Sequence, residues 1–296
     1  MSAAKPSTDN PLFGVALAAA AWAAFSMQDA IVKYLVVTLP VPEILFSRSI
    51  AIVALASLTL RRADVSVLMG PRNLIAIGLR SLLILVAWIS YYTAARWLTL
   101  PALVTLYFAS PLFVVALSRV TLGETVGPAR WFATIVGFCG VLVAADLSEA
   151  PSALPALLTL VAALFWAATA LLTRRLSQAV STRALMFGAN LLFVVVCLAT
   201  APFVFVRPNA FELVLLVLLS IFGGAGQFFL FQGMRIAPAS AIAPFEYTSL
   251  AWATLWGWTI FGDLPNAHVL AGGAVILASG LAMLIVEGRR YRAARA

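Results

Sequence analysis

Five ionisable side chains interrupt apolar runs of this sequence: Asp29, Lys33, Arg48, Arg80 and Glu246. A charge within hydrocarbon is costly, so each such residue is a candidate for pairing, ion movement or solute recognition. Asp29 and Lys33 are four residues apart and share a helix face. At about 1.5 Å per residue, Asp29 lies roughly 25 Å along a helix that starts near Leu12. Arg48 enters its own apolar run about one turn in. Asp29, Lys33 and Arg48 are therefore expected at one end of the bundle as a single charge cluster. It serves either as a structural ion pair, with Lys33 reaching toward the interface, or as a binding or gating site for a zwitterion. Arg80 either reaches for lipid phosphates at the opposite end or attracts anions there.

Glu246 follows Pro244 and precedes Tyr247, Thr248 and Ser249. A proline inside a helix frees a carbonyl that then needs a partner or a cavity. A carboxylate at that point can bind an amine or carry a proton; the plainer alternative is a protonated or internally paired acid. Trp88, Tyr91 and Tyr92 fall at i, i+3 and i+4 and share a face. With Tyr107, Trp166, Tyr247 and Trp252 they can wall an aromatic cavity, or they can pack and form interface belts. Gln28, Asn190 and Gln227 are neutral polar groups suited to solute or interhelical hydrogen bonds. The substrate-binding set expected from these readings is Gln28, Asp29, Arg48, Trp88, Tyr92, Tyr107, Trp166, Gln227, Glu246, Tyr247 and Ser249. Glu124 and Asp263 read as end caps.

No catalytic, metal or cofactor site is expected. The one histidine, His268, stands at a helix start, and no His-Glu-x-x-His occurs. The run Gly223 to Gly226 lacks a following Gly-Lys-Ser/Thr, so it is no nucleotide loop. An intramembrane enzyme and a channel or scaffold are the competing classes to a carrier. Cys139 and Cys197 sit in apolar runs and read as core residues.

The elements that must hold these side chains follow from composition. The chain has 296 residues, 63% hydrophobic and 10% charged, with a mean hydropathy of +1.04. Soluble domains carry about a quarter charged residues, so this surface belongs in lipid. No signal-peptide cleavage pattern precedes the first apolar run, which is expected to stay as a helix. Spans are expected at Leu12–Val36, Ile44–Leu60, Leu74–Ala95, Ala102–Val120 and Trp131–Ala145. A second set follows at Leu154–Leu172, Ala184–Phe205, Leu213–Phe231, Ala239–Phe261 and Val269–Val286. The net charge of +8 reflects cations at helix ends and points to no nucleic-acid partner. With the N-terminus in the cytoplasm, fourteen of the 19 Lys and Arg fall inside, against Lys33, Arg96 and Arg207 outside. Both termini are then cytoplasmic.

The ten spans divide into five and five. Arg96 to Glu124 repeats as Arg235 to Asp263 at a constant shift, 235 − 96 = 263 − 124 = 139, placing "YFAS" on "EYTS". Trp22 in "AAAAWAA" likewise falls on Trp166 in "AALFWAA". Odd halves must insert in opposite senses, an inverted repeat with a site near midplane.

The order of "SMQDAIVKYL…EILFSRS", "LRSLLILVAWISYYTAARWLTLPALVTLYFASPLFVVALSRVTLGETVG" and "GFCGVLV" resembles the EamA family of the drug/metabolite transporter superfamily. "FQGMRIAPASAIAPFEYTSLAWATLWGWTIFGDLPNAHVLAGGAVILASGLAMLI" resembles its second repeat. The resemblance implies an all-α membrane protein with ten transmembrane helices, two inverted five-helix repeats at 12–145 and 154–286 around a central cavity, and a basic tail at 287–296. It implies a secondary transporter of the bacterial inner membrane, YddG-like, exporting amino acids or similar small molecules. The alternative is an uptake carrier for a vitamin or nucleoside-like solute such as riboflavin or S-adenosylmethionine. The partners implied are that small solute and membrane lipids, and the state a monomer or weak dimer.

Overall fold

The computed structural model describes residues 11–122, 128–145, 153–176, 180–236, 245–246 and 248–293, and every element assigned among them is helical. The helices are α1 (Pro11–Leu35), α2 (Val41–Thr59), α3 (Arg62–Leu68), α4 (Pro71–Ala94), α5 (Leu100–Tyr107) and α6 (Ala109–Leu122). They continue with α7 (Pro128–Ala145), α8 (Ala153–Leu176), α9 (Thr182–Val204), α10 (Ala210–Ile236), α11 (Thr248–Trp256) and α12 (Ala267–Ala293). A π-helical turn, Gly257–Phe261, extends α11.

Local chemistry sets the starts. Pro42 and Pro71 occupy the first turns of α2 and α4, where a missing N–H costs nothing. Thr99 caps α5 by accepting from Ala102 N at 3.4 Å, and Ser181 caps α9 by accepting from Ala184 N at 3.3 Å. Asn209 and Glu212 cap α10 reciprocally, at 2.9 and 2.8 Å.

Among the described residues, five helices are long and apolar enough to cross a membrane: α2, α4, most of α8, α9 and most of α10. Shorter apolar helices cover Leu100–Val114, Ile135–Ala144 and Ala267–Ala282. Their outward faces leave large apolar side chains uncovered: Leu58 is 83% exposed, Phe203 86% and Ile75 74%. A soluble monomer rarely shows so much contiguous apolar surface, whereas lipid solvates it.

Three expectations change. The run Ala102–Val120 is two helices, α5 and α6, meeting at Phe108 (φ −64°, ψ 0°). The cause is Pro111, whose absent N–H leaves the Tyr107 carbonyl without its i+4 donor. The connection between the second and third expected spans, given no helix there, holds the short helix α3. The ninth run ends not as an α-helix but as the π turn, closed by Gly262 at φ +71°, where a side chain would be strained.

The core joins both halves of the chain. Leu35 and Leu39 from the first helix and its turn, Ile44 and Leu45 on α2, and Tyr92 on α4 pack with Ala162 on α8, Phe193 on α9 and Leu219 on α10. The principal helix pairs are α1 with α10, α4 with α8, α2 with α9, and α7 with α12.

One end of the bundle is laced by polar links between its connections. Lys33 Nζ donates to Leu98 O at 2.7 Å and faces Asp263 Oδ2 at 3.4 Å. Arg96 Nε donates to Val36 O at 2.6 Å, and Thr38 Oγ1 to Glu212 Oε1 at 2.6 Å. Glu43 accepts from Val206 N at 3.1 Å.

Candidate functional site

Helix α4 carries Trp88, Tyr91 and Tyr92 into the interior, where Tyr91 and Tyr92 are buried. Tyr107, the last residue of α5, and Trp166 on α8 meet them. Ring centroids run 6.3 Å from Trp88 to Tyr91 and 4.9 Å from Tyr91 to Tyr107. They continue 6.4 Å from Tyr107 to Trp166 and 6.4 Å back to Trp88. Four aromatics from three helices thus close a circuit. Edge-on contacts at these spacings are favourable and hold the rings at fixed angles.

This circuit walls a cavity of about 530 Å³, to which α1 adds Trp22, Ser26 and Asp29 and α11 adds Ser249. Trp22, Ser26 and Asp29 recur at helical spacing and so share one α1 face. Asp29 Oδ2 accepts from the Tyr91 hydroxyl at 3.1 Å. Ser26 Oγ and Trp22 Nε1 have no hydrogen-bond partner among the described residues. The Glu246 carbonyl accepts from Ser249 Oγ at 2.6 Å. An ammonium or an aromatic solute finds in this chamber ring faces, one carboxylate and hydroxyls.

Arg48 lies behind the circuit. Its guanidinium carbon sits 4.7 Å from the Trp88 ring centroid. Its Nε packs against Gly223, where an added methyl would come within 2.6 Å of that nitrogen and closer still to Gln28 Oε1. Beyond Arg48 a second cavity, about 240 Å³, is lined by Arg48, Arg80, Trp88, Asn190, Gln227 and apolar neighbours. Trp88 is common to both cavities.

Of the expected site residues, Asp29, Trp88, Tyr107, Trp166 and Ser249 line the larger cavity, and Arg48, Trp88 and Gln227 the smaller. Tyr92 lines neither: it is fully buried behind Trp88, at 5.3 Å. Gln28 is also fully buried, wedged between α1 and Gly223. Tyr247, Pro244 and Glu124 lie outside the described residues.

Two expectations fail. Asp29, Lys33 and Arg48 do not form one cluster. Lys33 turns to Leu98 and Asp263 and lies over the Phe261 ring at 5.4 Å, and no ion pair joins Asp29 to Arg48. Spacing four apart gives Asp29 and Lys33 a common face, but neighbouring helices supply nearer partners. Of the two readings of Arg80, the one that reaches for lipid phosphates does not hold. Arg80 is 4% exposed and donates from Nε to Thr173 Oγ1 at 2.6 Å. Trp22, Ser26, Tyr91, Arg80 and Asn190 were absent from the expected set. The spacing of Trp22 and Ser26 from Asp29 was the available signal for the first two.

Comparison with known proteins places this architecture. A crystal structure of a protein with 17% sequence identity superposes with a TM-score of 0.65 over 94% of this chain and 97% of that one, a likeness of fold. A riboflavin transporter of Rhizobium johnstonii is 32% identical over 191 residues, 64% of this chain and 63% of its own length. The pseudopaline exporter CntI of Pseudomonas aeruginosa is 29% identical over 273 residues, 91% of this chain and 95% of its own. These relatives are transporters of small metabolites, not enzymes, and the uncovered apolar faces described above fit a multi-pass membrane protein. The sequence profile of the EamA-like transporter family matches twice, at residues 12–145 and 153–285, and the chain belongs to that family.

Proposed function

We propose that the protein is a secondary transporter that exports amino acids or similar small metabolites across the bacterial inner membrane by alternating access. In this reading ten spans form two inverted repeats: α1, α2, α4, α5 with α6, and α7; then α8, α9, α10, the 239–261 segment, and α12. The helix pairing supports the inversion. Contact of α1 with α10 has its counterpart in α8 with α4, and contact of α1 with α11 has its counterpart in α8 with α6. Helices α2 and α9, and α7 and α12, pair with their own mates. Both termini face the cytoplasm, following the distribution of Lys and Arg.

The observation that carries the substrate reading is the Asp29–Tyr91 pair set in the aromatic circuit. Ring faces and a carboxylate together select an amine-bearing solute of small size. Asp29, Trp88, Tyr107, Trp166, Glu246 and Ser249 would contact it. Counterflow of labelled amino acids in proteoliposomes tests this: saturable exchange supports a carrier, and a non-saturating current supports a channel. A flat, vitamin-like solute is the second reading, favoured by the ring circuit and by the riboflavin transporter alignment. Competition by riboflavin for the amino-acid signal decides between them.

A further inference from the structure

We propose that the smaller cavity seats a carboxylate of the transported solute between Arg48 and Arg80. This rests on the transporter reading above and adds the substrate class: solutes bearing a carboxylate as well as an amine. Both guanidinium groups are buried, at 2% and 4% exposure. Arg80 spends Nε on Thr173, but its Nη1 has no partner among the described residues, and neither has Arg48 Nε. Among the described residues, no Asp or Glu lines this cavity. Neither arginine is in an ion pair with a described residue.

A buried guanidinium without a counter-ion is destabilising, and two facing one small space repel each other. The fold therefore holds a charge deficit that an incoming anion can relieve. Guanidinium is planar and presents paired donors, a match for the two oxygens of a carboxylate. Gln227 also lines this chamber, and its amide N–H, not its Oε1, is the group that can donate to a carboxylate. Trp88 lines both this chamber and the one holding Asp29. A solute whose amine stands several bonds from its carboxylate, as in the side chain of a basic amino acid, can thus place that amine by Asp29 and its carboxylate between the arginines, past the Trp88 ring.

The test uses the full chain in lipid nanodiscs and thermal-shift titration with the standard L-amino acids, each paired with its amide, and with inorganic phosphate. The expected result is stabilisation by at least one acid, with its amide weaker by about tenfold or more. Arg48→Gln and Arg80→Gln should each raise the acid's midpoint about tenfold and leave the amide's unchanged, with the Lys variants between. Equal midpoints for acid and amide, unchanged midpoints in both Gln variants, or no response to any acid would overturn the proposal. So would phosphate binding as tightly as the best acid.

Gln227→Glu covers the case of poorly folding Arg variants. It installs a carboxylate in the chamber, so it should raise the melting temperature without ligand and abolish the acid's effect. A destabilised Gln227→Glu protein that still responds to acids counts against the site. Counterflow that proceeds regardless of the solute's carboxylate removes this inference and keeps the transporter reading. Acid-dependent stabilisation without counterflow of any solute does the reverse.

Discussion

The Tyr91 hydroxyl donates to Asp29 Oδ2 across 3.1 Å and ties α4 to α1 inside the larger cavity. Both residues line that cavity, so the bond can be exchanged for one to a solute amine. Asp29→Asn keeps the shape and removes the charge. A hydrogen bond to a charged group is worth about 1.5–3 kcal/mol, so transport of an amine-bearing solute should fall about 10- to 100-fold. Tyr91→Phe should cost less, because the carboxylate remains. Initial rates of counterflow at matched protein levels check this. Wild-type rates in Asp29→Asn would remove the residue from the site.

Gly223 gives the second prediction. Its missing side chain leaves room for Gln28 and Arg48, both buried, to pack directly on the α10 backbone. Gly223→Ala drives a methyl into that space, and overpacking of this kind costs about 1–3 kcal/mol. The expected outcome is a lower melting temperature together with weakened transport, since Arg48 must leave Trp88. Gln28→Ala in the same chain reopens part of the space and should recover some of the stability. A double variant no more stable than Gly223→Ala would show that the strain lies elsewhere.

How far these relationships were legible in the sequence depended on whether they were local. Runs and caps were: the spans expected at Leu74–Ala95 and Ala184–Phe205 fall on α4 and α9, and Asp263, expected as an end cap, follows the π turn, because hydropathy and caps act within a few residues. The face shared by Trp88, Tyr91 and Tyr92 also followed from helical spacing. Partners across helices did not. Lys33 has Asp29 on its own face, yet Asp263, 230 residues away (263 − 33), is the one it meets. Arg80 looked like an interfacial residue by depth alone, and only the approach of α8, with Thr173, makes it an interior one. The break at Phe108 was encoded locally, in Pro111, but a hydropathy run across it hides the missing donor.

Asp64 supplies a pH prediction outside the spans. It accepts from Ser181 Oγ at 2.6 Å and from Arg61 N at 3.0 Å, with Arg183 Nε at 3.9 Å. The Ser181 bond first, then the Arg61 amide, hold its carboxyl below the usual carboxylate range. A depressed folded-state value means that stabilisation is complete above the unfolded value, about 3.9, and is lost as pH falls through the folded one. The melting-temperature gap between wild type and Asp64→Asn should therefore hold from pH 7 down to about 5 and shrink toward pH 3. A gap that stays constant to pH 3 would show that the charge contributes nothing.

Lys33 and Asp263 carry the last prediction. They join the first half of the chain to the second at the laced end, 3.4 Å apart, at 14% and 28% side-chain exposure. Under the alternating access proposed above, that end opens during transport, and the pair would then belong to one conformation and bias the equilibrium toward it. Lys33 also keeps its bond to Leu98 O, which does not depend on Asp263. Asp263→Asn should therefore lower stability only modestly, by about 1 kcal/mol or less for so exposed a pair, while altering transport more. Lys33→Asp should do worse, losing both the pair and the Leu98 bond. The swap of Lys33→Asp with Asp263→Lys restores the pair but not that bond, and should recover part of the transport lost by Lys33→Asp alone. Labelling of a cysteine introduced beside the pair, compared between wild type and Asp263→Asn, reads the opening directly. Equal labelling, with no recovery in the swap, would make the pair a static link.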